Sequence, residues 1–216
     1  MSLSSASVNW PGIERWSRLW QSAAAEGNAR DWYERLTAAY AEPQRFYHNQ
    51  RHIAECLAEF DRARALAKDP VAVEFALWFH DAVYDPKSGD NEEQSAELAT
   101  SCLNDAGLSR LAADVGEFVL ATKSHEARGL SDAALVIDID LSVLGRDTAG
   151  FEAFEEQVRQ EYRFVPKVIF NLKRAQVLKR FLERPRLYTH EQFFQRYEAQ
   201  ARQNLEESLR TLTRLW

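Results

Sequence analysis

The chain has 216 residues, 45% of them hydrophobic and 12% aromatic, enough for one well-buried domain and too apolar for a disordered chain. A formal net charge of −6 argues against a general nucleic-acid binder, because a phosphate backbone needs a basic face; a small phosphorylated ligand needs only a local basic pocket. Two cysteines, Cys56 and Cys102, make no disulfide framework, and the opening MSLSSASVNWPG lacks a basic stretch followed by an apolar one. We therefore expect no signal peptide and a reducing, cytoplasmic setting.

In chain order, GIERWSRLWQSAAA and ARDWYERLTAAYAE place Ile13, Trp16 and Leu19, then Trp32, Leu36 and Tyr40, at helical spacing, and Pro43 stops the second helix. A third helix is expected from about Tyr47 to Ala67. Asp69-Pro70 opens a fourth, apolar almost all round over Val71 to Phe79 and hence expected in the core. Its stretch AVEFALWFH is too short to span a bilayer and carries Glu74, so no membrane partner is expected. NEEQSAELATSCLNDAG ends on Gly107 as a C-cap, Ser109 starts the next helix, EARGLSD is a loop, and Ser131 is expected to cap AALVIDIDLSVLG. Three longer helices follow near 148–163, 166–183 and 190–215, the last with Thr189 and Gln192 as a capping box. No linker, repeat or low-complexity segment divides the chain. The reading is all-α, with seven to nine helices, no sheet and a single domain over 1–216.

Histidine is scarce, five in all, and concentrated. His48 and His52 in FYHNQRHI lie four apart and share a helix face, with Cys56 one step further. A zinc site of all three would span about 12 Å along the helix, too far for one ion, so Cys56 is read as a small buried apolar residue. Two solvated or core histidines, or a division of labour between metal binding and chemistry, remain open for the pair. In WFHDAVYDP the dyad His80-Asp81 closes the apolar helix; adjacent residues can face one ion only where the backbone turns, as at a helix end. A metal would compensate the charge of Asp81, as would a simple His–Asp hydrogen bond. In LVIDIDLSVLG, Asp138 and Asp140 sit among residues that favour burial and point to different faces, so one of them is expected to be a ligand, unless an arginine on a neighbouring helix pairs with it.

These ordered pieces, His…His-Asp…Asp on helices from about Phe46 to Gly145, resemble the HD-domain metal-dependent phosphohydrolases, with the later helices fitting a subgroup of predicted bacterial members. YHNQRH is also similar to the tyrosine-histidine-asparagine segment of the cyclic-nucleotide phosphodiesterases, although the glutamine purine clamp of those enzymes has no counterpart here. The resemblance implies an HD-type helical bundle with its core at about 46–145 and packed N- and C-terminal helices. It also implies His48 as proton donor and His52, His80, Asp81 and Asp140 as metal ligands, with Asp138 the alternative to Asp140. The implied activity is hydrolysis of a phosphoester or phosphoanhydride in a small phosphorylated molecule such as a nucleotide; a non-catalytic, metal-holding nucleotide sensor is the alternative. The donor set suits Mn²⁺, Fe²⁺, Co²⁺, Ni²⁺ or Zn²⁺, and Mg²⁺ less naturally. A homodimer is compatible with this reading. His125 is a candidate for a second ion or for the site, Lys123 for neutralising phosphate, and Glu92 and Glu93 for orienting water, against helix-terminal roles for the acids. A basic and aromatic set, Arg159, Tyr162, Lys167, Lys173 and Arg174, is a candidate substrate wall, and a solvated amphipathic face would account for the same pattern.

Overall fold

The computed structural model describes residues 10–127 and 129–213. Within them lie ten α-helices and no strand: α1 (Ile13–Ser22), α2 (Ala29–Ala39), α3 (Gln50–Ala63), α4 (Pro70–Phe79), α5 (Asn91–Asp105), α6 (Ser109–Ser124), α7 (Ser131–Asp140), α8 (Thr148–Glu161), α9 (Lys167–Leu182) and α10 (Glu191–Thr213). That exceeds the expected seven to nine, because no two neighbouring segments fuse. Pro43, Gly107, Asp147, Pro166 and Pro185 all fall in breaks between helices. The expectation of no signal peptide rests on residues 1–9, and part of the final helix on 214–216; both stretches lie outside the described residues. No helix among those described is long and apolar enough to cross a membrane.

The core is organised around α4. Ala72 to Phe79 are all buried, and the helix touches α1, α3, α5, α6 and α7. Asp69 starts it as expected, its Oδ1 accepting from Val71 N and Ala72 N with Pro70 in the first turn. Trp16 of α1 packs edge-on to Phe75 and Trp78, with ring centroids 5.6 and 5.3 Å away. Gly107, at φ +75°, ends α5 in a left-handed turn closed by Leu108 N donating to Leu103 O at 2.8 Å.

Two expected caps are corrected. Ser131 is the first residue of α7 rather than its cap, and no side chain caps that end. Instead the carboxylate of Asp132 accepts from Lys68 N and Asp69 N at 2.9 and 2.8 Å, tying the start of α7 to the start of α4. The Thr189–Gln192 capping box does not form. Phe193 N and Phe194 N donate to the His190 carbonyl, while Thr189 N is taken by Asp138 from another helix. At Gly145 a Cβ would lie 2.6 Å from Cβ of Tyr197, so glycine lets α10 pack directly on the turn after α7. The ends of α4 and α7 are thus fixed relative to each other and to α10.

Candidate metal centre

Asn49 caps α3 by accepting from Arg51 N and His52 N, which puts His52 in the first turn with its ring buried. At the far end of α4 the chain turns at His80, with Ala82 N donating to Phe79 O, so His80 and Asp81 both reach the same space. His80 Nδ1 lies 3.0 Å from the Leu77 carbonyl, which can only accept; the proton therefore sits on Nδ1 and the Nε2 lone pair is free. That Nε2 faces His52 Nε2 at 3.0 Å. Asp81 Oδ2 stands 3.4 Å from the first imidazole and 3.2 Å from the second, and Asp140 Oδ1 stands 3.3 and 3.7 Å from them. His125 Nε2 approaches the other Asp140 oxygen at 3.3 Å, from a residue in the left-handed region (φ 51°) whose carbonyl is held by Arg184.

His52, Cys56, His80 and Asp140 each bring one ligand atom within 4.8 Å of the others, a cluster that could hold a metal ion. The thiol of Cys56 is therefore not merely apolar filling. Its sulfur lies 3.7 and 3.8 Å from the two nitrogens of the His52 ring. Asp81 Oδ2 also faces both Nε2 atoms. A further sign of a missing partner is Tyr47, whose ring packs 4.6 Å from that of His52 and whose buried hydroxyl has no hydrogen-bond partner.

Burial by itself would raise the carboxyls of Asp81 and Asp140. The imidazoles of His80, His48 and His52 hold Asp81 well below the usual range, and those of His125, His52 and His80 do the same to Asp140. Burial opposes charge on His52 and His80, yet Cys56, Tyr47 and both aspartates push the first up, and the two aspartates push the second up.

Of the two acids in α7, the structure brings Asp140 into this cluster and sends Asp138 elsewhere. Asp138 is fully buried and accepts from Thr189 N at 2.8 Å, His190 N at 2.7 Å and His190 Nδ1 at 2.8 Å. Its partner is the start of α10, not the arginine that the sequence allowed.

His48 stands apart from the cluster, its ring centroid 6.2 Å from that of His52. Its Nδ1 lies 2.7 Å from Glu161 Oε2, and its ring stacks on Tyr84 at 4.2 Å. Glu161 takes five donors: Phe46 N, Tyr47 N and His48 N on Oε1, and His48 Nδ1 and the Tyr84 hydroxyl on Oε2. Burial would raise its carboxyl, but the hydrogen bonds and charge of His48 keep it below the ordinary glutamate range. Arg45, also buried, clamps the carbonyls of His48, Asp81 and Ala82 and so ties the two histidine segments together.

Sequence reading missed Glu161 and Arg45. Glu161 had a signal: it continues the buried stripe Phe151, Phe154, Val158 of α8, where an acid is out of place. Arg45, in a loop, had none. Among the other expected residues, Lys123 and Glu93 pair with each other, and Lys123 also donates to Gly89 O, so neither is free to serve the cluster. Glu92 is half-buried in the first turn of α5. Tyr162 stands beside Tyr84 and Glu161, its phenol pushed up mainly by burial. The basic wall does not assemble around it. Arg159 is spent on the carbonyls of Tyr162 and Val165, Arg174 pairs with Glu155, and Lys173 is exposed. Arg159 and Lys167 line a separate cleft between α8, α9 and α10, which no residue of the histidine–aspartate cluster lines. Comparison with family models, with curated proteins and with solved structures finds no match to this chain.

Proposed function

We propose that the chain is a metal-dependent phosphohydrolase of the HD-domain type, acting on a small phosphorylated molecule such as a nucleotide. His52, His80, Asp81 and Asp140 would hold the ion, with His125 beside it. Two imidazoles and two carboxylates suit Mn²⁺, Fe²⁺, Co²⁺, Ni²⁺ or Zn²⁺. When bound, such an ion would polarise a phosphoryl oxygen and acidify water. The observation that carries the reading is the His48–Glu161 pair next to that cluster. A protein that only held a metal would have no use for an imidazole so oriented.

The chain's own part follows from this pair. Glu161 keeps a proton on Nδ1 of His48 and holds the ring against Tyr84, leaving Nε2 as the atom that gives its proton to a departing oxygen. His80 keeps its lone pair towards the ion because Leu77 O occupies its other nitrogen. Arg45 holds the two segments at a fixed separation.

The test compares two histidine variants. His52→Ala should lose metal, and activity with it. His48→Ala should keep its metal and lose turnover by about 10²–10⁴-fold on substrates with poor leaving groups, and by much less on p-nitrophenyl esters. Equal loss on both substrate types, or metal loss in His48→Ala, would make His48 a ligand or structural residue. A metal-loaded protein that binds nucleotides but turns over none of a phosphoester panel would favour the sensor reading.

A further inference from the structure

Segment 163–182 stands out in charge and in exposure. It holds six of the 27 basic residues, Arg163, Lys167, Lys173, Arg174, Lys179 and Arg180, and none of the 33 acidic ones, leaving the remainder of the chain at −12. Six large hydrophobic side chains are exposed among the described residues, and four of them, Phe164, Val168, Ile169 and Leu172, fall within nine positions here, each about half accessible. Val168 and Leu172 are one helical turn apart with Ile169 beside them, and Lys173, Lys179 and Arg180 continue the same exposed side of α9. The opposite side carries the buried Asn171 and Leu178. Arg174 is neutralised by Glu155 and Lys179 lies 3.9 Å from Glu183; the other four cations form no salt bridge among the described residues.

We propose that this face of α9 docks on an anionic lipid surface, as a peripheral contact. The absence of a spanning helix does not bear on such an association, which needs only a shallow apolar face ringed by cations. Charge selects an anionic occupant and disfavours a second copy placed symmetrically, since two α9 faces would set lysine against lysine. α9 packs mainly on α10, and Val168, Ile169 and Leu172 stand exposed on its other side with the cations beside them. Arg163 and Phe164 lie two and three residues after Glu161, so docking would bring the His48–Glu161 pair close to the membrane.

The full-length protein should co-sediment with phosphatidylcholine vesicles containing phosphatidylserine, not with phosphatidylcholine alone, and should be released at ~1 M salt. Replacing Lys173, Lys179 and Arg180 by Gln should weaken partitioning on the order of 100-fold, at about fivefold per cation. Val168→Ser with Ile169→Ser should weaken it at least about tenfold. Circular dichroism would check that both variants stay helical; the Gln variant, altered only at exposed charges, decides the matter if the Ser variant does not fold. No binding to the anionic vesicles at low salt overturns the proposal. So does reversible dimerisation of the parent, seen by sedimentation and abolished by the Ser variant, which would assign the face to a second copy. Equal binding to neutral and anionic vesicles would overturn the role of charge.

Discussion

Helix α7 carries two Asp–His pairs on different faces, and they behave oppositely. Asp138 meets His190, and Asp140 meets His125. Every oxygen of Asp138 is answered by a protein N–H: two backbone amides and one imidazole, all within 2.8 Å, in a fully buried setting. Asp140 receives no backbone amide. Its neighbours are imidazole nitrogens at 3.3 to 3.7 Å, and its side chain keeps 16% of its accessibility. A carboxylate saturated by fixed donors is a structural tie, whereas one facing converging lone pairs is a place for a cation. Residue type and sequence neighbourhood do not distinguish the two cases; the identity of the partners does.

The largest expected effect that tests this contrast is on folding. Asp138→Ala leaves two amides and an imidazole at the start of α10 without an acceptor and should cost about 3–5 kcal/mol of stability by denaturant unfolding. A loss below about 1 kcal/mol would mean that α10 is not held by this tie. The next effect is on metal. Parent protein at 100 times the dissociation constant should gain about 2.7 kcal/mol on adding Zn²⁺ or Mn²⁺. Asp140→Asn should lose most of that increment and the bound ion with it, while Asp138→Asn, in whatever fraction folds, should keep both. Elemental analysis and thermal shifts read the difference, and the reverse pattern would exchange the roles of the two acids.

The smallest effect concerns the third buried carboxylate. Glu161→Gln should cost about 2 kcal/mol at neutral pH, because the group accepts charge-assisted bonds. Its folded-state acidity is depressed, so its contribution is complete above the unfolded value near 4.5 and is lost as pH falls through the lower folded value. The stability gap between parent and Glu161→Gln should therefore be constant above about pH 5 and narrow below about pH 4.5. A gap that widens on acidification would show that Glu161 is protonated in the native state. The variant should also lower turnover while leaving metal content intact.

The sequence by itself determined the all-helical class and most of the breaks, because apolar side chains recur at helical spacing between proline, glycine and aspartate, although its count of seven to nine helices fell short of ten. It also placed His80 and Asp81 at a helix end where both side chains can reach one space, and His48 and His52 on one helix face. Two local devices survive intact in the structure, the Asp69-Pro70 start of α4 and the Gly107 turn after α5, since both act within one turn of backbone. What the tertiary structure alone decided involves partners far along the chain. Thr189 N reaches Asp138 across 51 residues, and His48 reaches Glu161 across 113. Residues two apart on a helix point to different faces whatever their neighbours, so periodicity cannot say which of Asp138 and Asp140 meets the histidines. That depended on how α7 is rotated against α3, α4 and α10, which Asp132 sets at one end and Asp138 at the other.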